Sequence, residues 1–350
     1  YIMYRLSGNR RHLTDVSNAS RSLLMDIRRL AWDEDLLALF GIPEALLPEI
    51  RPSSGLLAET QGVAGLPDGI PIAGVAGDQQ AALFGQTCFE VGDSKCTYGT
   101  GAFLLANTGE TPVASRSGLL TTVAWKLGEA APIYALEGAS FVAGAAVKWL
   151  RDGLGLIQRS ADVEALAASV PDSGGVVFVP ALAGLGAPHW KPHARGAFLG
   201  LHQGTTKAHL ARATLEGVAL QLCDLAACME ADLGRPLRSY RVDGGAARND
   251  LLMQMQADLL GQELTRPQVT DTTAMGAGML AGLGVGLFPS REAIAKAWAV
   301  DRRFPAEKDA PWRRTMRARW EEALRACVGF AAGGEGRAGS EPKAAALQSV

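Results

Sequence analysis

The residues best suited to chemistry lie between Ile70 and Phe103. The run from Ile70 to Ala76 is short, apolar and bounded by Gly77, which predicts a buried strand. Asp78 follows where that strand ends, and Ala81, Ala82 and Leu83 favour a helix just beyond it. A carboxylate at the carboxyl end of a strand opens into the crevice where α/β sheets bind ligands. Some twenty residues on, Tyr98-Gly99-Thr100-Gly101 makes a tight turn. Its glycines let backbone N–H groups approach an anion, and Thr100 adds a hydroxyl. A base paired with a phosphate turn suits phosphoryl transfer. The same residues also read as an Asp helix cap followed by a hairpin turn, and the bare pattern leaves both open.

Val242-Asp-Gly-Gly-Ala-Ala-Arg-Asn is a second candidate, set between a strand and a helix. The N–H groups of Gly244 and Gly245, with the helix start, suit a nucleotide, and Asn249 suits ribose or base. An ordinary βα turn with an Asn cap explains it equally well. Three other patterns carry less. Gly276-x-Gly278-x-x-Ala281 has dinucleotide spacing but lies inside a helix-like run, where close helix packing explains it. His189 and His193 have helical ligand spacing, but Pro188 and Pro192 place them in a loop, which argues against a metal. Cys223 and Cys228 read as core residues. The sequence has no Gly-Lys dipeptide and so no P-loop, and neither Gly-x-Ser-x-Gly nor His-Glu-x-x-His occurs.

These residues need elements to position them. The polar run Asp15–Arg21 predicts a turn that caps a helix over Leu23, Leu24, Ile27 and Leu30. A short helix follows Trp32, with acidic residues in its first turn and Gly41 as its stop. From Lys95 to Glu137 the pattern predicts a β-meander, with strands over 103–106, 119–125 and 133–136. Gly138 to Leu150 has helical composition, and 155–173 reads as a surface helix and loop. Val176 to Val179 reads as another buried strand, and Gly184 to Arg195 as a long loop. Helices are predicted over 207–233, 249–260, 273–287, 292–299 and 312–328, with short strands before Asp243 and at 263–267. The tail beyond Phe330 has no apolar period, which predicts disorder.

At 350 residues the chain is long enough for two domains. Charged residues are 20% and the net charge is −2, without a basic stripe, which argues against nucleic acid as partner. The five scattered cysteines suit free thiols in a reducing compartment better than a disulfide frame or zinc site, so a cytoplasmic location is expected. The longest uncharged run, Thr272–Ser290, is broken by glycines and Pro289 and predicts no membrane span.

Several segments, in order along the chain, together resemble the FGGY family of carbohydrate kinases. They are Thr14–Arg21, Leu47–Ser54, Gly77–Gln86, Thr97–Gly101, Tyr134–Gly138, Gly184–Trp190, Gly196–Leu201 with Arg212–Glu216, and Val242–Gly245. The resemblance spans residues 1–328 and is nearest to members that phosphorylate glycerol. It implies an α/β fold of ribonuclease-H-like domains, as in the actin and hexokinase superfamily. Residues 1–86 correspond to the end of the first domain, 87–330 to the whole second domain, and 331–350 to a disordered tail. It also implies ATP with Mg²⁺, glycerol as substrate and sn-glycerol 3-phosphate as product. Residue by residue, Asp78 matches the general base, Gln79 a glycerol contact, and Phe103 a residue beside the triol. Thr100, Gly144, Gly245 and Asn249 match nucleotide contacts, and Lys148 stands where glycerol-phosphorylating members usually carry Gln.

The family's opening Asp-x-Gly-Thr phosphate loop and its early Arg-Glu, Trp and Tyr set occur nowhere in the sequence. The chain is therefore expected to correspond to the C-terminal two-thirds of a family member and to be inactive alone. A kinase for another polyol or a ketose, and a non-catalytic nucleotide-binding remnant, remain alternatives, as does a homo-oligomer. The loop Gly65–Gly69 lacks the Arg that some bacterial members use to bind a regulatory sugar bisphosphate.

Overall fold

The computed structural model describes residues 1–335. The first part of the chain is made of short elements: α1 (Ile2–Leu6), β1 (Leu13–Asp15), α2 (Val16–Ser20), β2 (Met25–Asp26), β3 (Ala31–Trp32), α3 (Glu34–Phe40), β4 (Glu49–Arg51), β5 (Ser54–Glu59), β6 (Pro71–Gly74) and α4 (Asp78–Gly85). Then come β7 (Asp93–Tyr98), β8 (Ala102–Gly109), β9 (Leu120–Trp125), β10 (Ile133–Ser140), α5 (Gly144–Asp152), α6 (Asp162–Ala168), β11 (Val177–Val179) and β12 (Ala197–Leu199). The last part holds α7 (Lys207–Leu233), β13 (Ser239–Asp243), α8 (Asp250–Leu260), β14 (Leu264–Pro267), α9 (Thr272–Gly284), α10 (Arg291–Ala297), β15 (Val300–Phe304) and α11 (Ala310–Glu335).

Seven strands form one mixed sheet in the order β15-β14-β13-β7-β8-β10-β9. The central pairs β7–β13 and β13–β14 are parallel, and the outer pairs are antiparallel. Side chains alternate across each strand, so the sheet has two faces. Cys96, Tyr98 and Leu104 join a core with α5, α7 and α8 on one face. Leu105 joins Leu83, Phe84 and Leu280 from α4 and α9 on the other, with half-buried Phe103 against them. Helix α7 is buried continuously from Ala213 to Ala226, which suits its Ala- and Leu-rich sequence.

Helices α4 and α9 pack at backbone contact. A Cβ at Gly276 would fall 1.8 Å from the Ala81 carbonyl oxygen, and one at Gly85 would fall 2.2 Å from that of Thr272. Close packing therefore accounts for Gly276, whereas Gly278 faces open space.

Several expectations need correction. The leucines from Leu23 to Leu30 do not form a helix. The polar run before them is itself α2, capped by Asp15, and the leucine segment turns through the small hairpin β2–β3 with Leu23 and Leu30 at positive φ. Asp15 caps α2 through the Ser17 and Asn18 N–H groups, and the Ser53 hydroxyl from further along the chain completes that cap. The predicted buried strand over 70–76 is only Pro71–Gly74. It pairs with β5 alone, is half-exposed, and ends short of Asp78.

Strands β8, β9 and β10 are not a meander. β10 inserts between β8 and β9, because nearly all of its residues are buried and need a neighbour on each side, while β9 begins exposed and takes the edge. The helix expected from Gly138 starts at Gly144, since Gly138–Ser140 complete β10. β11 lies outside the main sheet and pairs with β12. β15, rich in charge, escaped the apolar pattern. α11 continues through Glu335, so the expected tail is helical over its first five residues. Residues 336–350 of that tail lie outside the described residues.

Candidate active site

Asp78 is the first residue of α4 and is exposed. The backbone before it is held by a buried carboxylate. Asp15 accepts five hydrogen bonds, from the Ser17 and Asn18 backbone N–H groups, the Ser17 and Ser53 hydroxyls and the Asn18 amide. The Ser17 hydroxyl in turn accepts from Gly77 N–H at 2.8 Å. A fully satisfied carboxylate is stable without a cation, because each such bond contributes about 1.5–3 kcal/mol. Asp78 itself accepts at Oδ1 from Gln79 N–H (2.8 Å) and at Oδ2 from Gln79 Nε2 (3.5 Å). Its backbone carbonyl accepts from the Thr273 hydroxyl of α9 at 3.4 Å.

Beneath this helix start lies a residue that sequence reasoning missed. Lys95, fully buried in β7, donates to Gln79 Oε1 and to Thr97 Oγ1 (2.8 Å). Burial pushes its ammonium below the usual lysine range, partly opposed by the nearby charges of Asp243 and Glu137. Lys95 and Thr97 share a strand face, and Thr97 pairs directly with Phe103. Gln79, held by Lys95, and Phe103, paired with Thr97, thus lie on the same side of the sheet, and Asp78 precedes Gln79 at the start of α4. The signal was available as alternation: Lys95 and Thr97 stand two apart, on the side that α4 covers. Arg21 and Glu137 were also missed. Their 2.9 Å ion pair ties α2 to β10 and sets the arginine beside Gly77.

The turn Gly99–Gly101 leaves the end of β7 and is latched to α5. Gly144 N–H donates to Gly99 O, and the Ala143 and Ala145 N–H groups donate to Thr100 O. Close approach explains the glycines here: a Cβ on Gly101 would meet Ser140 O at 2.5 Å, and one on Gly144 would meet Gly99 O at 2.6 Å. Beside the turn is a cavity of about 590 Å³. Thr100, Gly144, Lys148, Gly245 and Asn249 all line it. Val147, Val163, Leu215 and Leu252 supply its apolar wall, and Arg151, Arg248 and Glu164 add charge that sequence reasoning missed. Asp78, Gln79 and Phe103 lie outside it.

In the second motif the two readings coincide. Asn249 Oδ1 caps α8 by accepting from Leu252 N–H at 2.8 Å, and the same residue lines the cavity. Asp243 is buried and points elsewhere, accepting from Gln86 Nε2 and the Thr272 hydroxyl. His189 meets Asp224 at 3.2 Å, and no group of three or more His, Cys, Asp or Glu side chains suited to a metal occurs among the described residues. Burial pushes the Cys88 and Cys223 thiols up to about 12, as expected of inert core cysteines.

Comparison with known proteins adds an independent line. Residues 94–285 match the C-terminal domain of the FGGY family of carbohydrate kinases, and residues 1–85 match its N-terminal domain. The chain belongs to the FGGY family of carbohydrate kinases. Glycerol kinases of Myxococcus xanthus and Bdellovibrio bacteriovorus are each 58% identical to it over 93% of this chain. The chain spans 66% of the length of both. A crystal structure of Plasmodium falciparum glycerol kinase with ADP superposes with a TM-score of 0.88 at 36% identity, covering 93% of this chain and 65% of that one. A xylulose kinase from Lactobacillus acidophilus superposes with a TM-score of 0.82 at 22% identity, a likeness of fold alone. The fold is that of the actin and hexokinase superfamily, as the family implies. No helix among the described residues is long and apolar enough to cross a membrane.

Proposed function

We propose that this chain is part of an ATP-dependent glycerol kinase that forms sn-glycerol 3-phosphate. The observation that carries the substrate is the 54–58% identity to glycerol kinases over more than nine-tenths of the chain. The likeness to xylulose kinases is one of fold and does not favour a ketose. The geometry supports ATP. The cavity falls within the ~300–1,000 Å³ common for small-molecule sites, and it combines an apolar wall with a hydroxyl, an amide and cations.

In this reading Thr100 and the turn around it hold phosphate, and the Lys148 ammonium adds charge. Gly245 permits close approach, and Asn249 contacts the nucleoside through the amide nitrogen that its cap leaves free. Asp78 accepts the proton of the attacking glycerol hydroxyl, and Gln79 and Phe103 orient the triol. Mg²⁺ bound with ATP supplies neutralisation of charge on the phosphates. We propose units at 1–86 and 87–330, and free cysteines support a reducing, cytoplasmic setting. The test is ADP release by the full-length protein with glycerol, xylulose and other polyols in parallel. Glycerol is expected to give the highest kcat/KM, and turnover confined to a ketose would contradict the assignment.

A further inference from the structure

A fully buried ammonium is expensive, and an apolar side chain of similar size in its place is often neutral or stabilising. Lys95 is nevertheless buried completely, with two neutral hydrogen-bond partners, Gln79 and Thr97. The chemistry of those contacts is directional. An ammonium has donors only, so Gln79 must present its carbonyl oxygen to Lys95. Its amide nitrogen is then left to face Asp78, and Nε2 lies 3.5 Å from Asp78 Oδ2. Apart from Gln79, no side chain restrains the exposed Asp78 carboxylate among the described residues. Thr97, the other partner, stands two residues before Gly99 on the strand that carries the Thr100 turn.

We propose that Lys95 is a positioning residue for phosphoryl transfer: it fixes the Gln79 amide so that Gln79 orients Asp78. This rests on the kinase reading above. Lys95 itself touches no reacting atom. It acts through Gln79, so the two residues form one unit.

The test is a double-mutant cycle in the full-length protein with Lys95→Met, Gln79→Ala and the pair, assayed with whichever polyol or ketose the wild type phosphorylates. Lys95→Met is expected to lower kcat roughly 10- to 100-fold, the scale of a displaced catalytic group, with KM for ATP within about twofold and thermal unfolding unchanged or higher. The double variant is expected to be no slower than the slower single variant. Wild-type kcat in Lys95→Met, or losses that multiply in the double variant, overturns the inference. A merely structural lysine would lower the unfolding temperature and leave kcat of the folded enzyme intact.

Thr97→Val covers the case in which Lys95→Met does not fold. It removes the partner on the strand and leaves the contact with Gln79, so turnover is expected within about threefold of wild type. A tenfold or greater loss would show that Lys95 acts through the strand instead. The two readings fail separately. A wild type silent toward every polyol and ketose removes the kinase reading and this inference with it, whereas an active wild type with an equally active Lys95→Met removes the inference alone.

Discussion

Asp78 and Lys148 are the single side chains whose loss should separate chemistry from binding. Asp78 is exposed at the start of α4 and lies outside the cavity beside the Thr100 turn. Asp78→Asn keeps the shape and removes the base, so turnover should fall at least ~10²-fold, the low end for losing a general base. ATP affinity, measured by calorimetry, should stay near wild type, and near-normal turnover would show that the base lies elsewhere. Lys148 lines the cavity and is itself exposed. Lys148→Ala should weaken ATP binding by about 1.5- to 5-fold, matching the 0.2–1 kcal/mol of an exposed charge pair. The difference should shrink as salt is raised, because exposed charges are screened. A larger, salt-independent loss would mean that Lys148 acts by packing or by a dry hydrogen bond.

Among the elements, the contact of α4 with α9 controls where Asp78 sits. Gly276 and Gly278 are two residues apart in α9, yet their surroundings are opposite. A Cβ on Gly276 collides with the Ala81 carbonyl, and one on Gly278 meets nothing within 4 Å. Gly276→Ala should destabilise by roughly 1–3 kcal/mol, the usual cost of overpacking, and should lower turnover because α4 is displaced. Gly278→Ala should stabilise by about 0.5–1 kcal/mol through helix propensity and reduced unfolded-state entropy. Urea unfolding midpoints of the two variants check the pair, and equal signs would contradict the packing described. At the other helix start, Asn249→Ala should cost ~1 kcal/mol for the lost cap and also weaken nucleotide binding. A stability loss with unchanged affinity would leave Asn249 as a cap alone.

For the molecule as a whole, the uneven distribution of core predicts uneven stability. The sheet from β7 to β15 carries the large core, whereas the elements up to β6 rest on small clusters around Val16 and Leu13. Their strands pair only in twos, which is marginal for independent stability. Limited proteolysis of the 350-residue chain should therefore release its first 80 or so residues before it cuts residues 95–328, since weakly cored segments open most often. An N-terminal region as resistant as the rest would refute this expectation.

Much of the site was legible in the sequence because it depends on local chemistry. The Gly99–Gly101 turn, the Asn249 cap and the α7 boundary at Gly234 follow from residue types and spacing, and the structure has them as read. The grouping of Thr100, Gly144, Lys148, Gly245 and Asn249 came from resemblance, and the fold brings all five to one cavity. What local signals could not supply was anything set by distant partners. The placement of β10 between β8 and β9 depends on which strand can be buried on both sides. The helix expected over Leu23–Leu30 lost to a cap completed by Ser53, far along the chain. Lys95 marked only the start of the expected meander. Alternation puts Lys95 and Thr97 on one strand face, but only the packing of α4 over β7 decided that this face is buried and turned the lysine to Gln79.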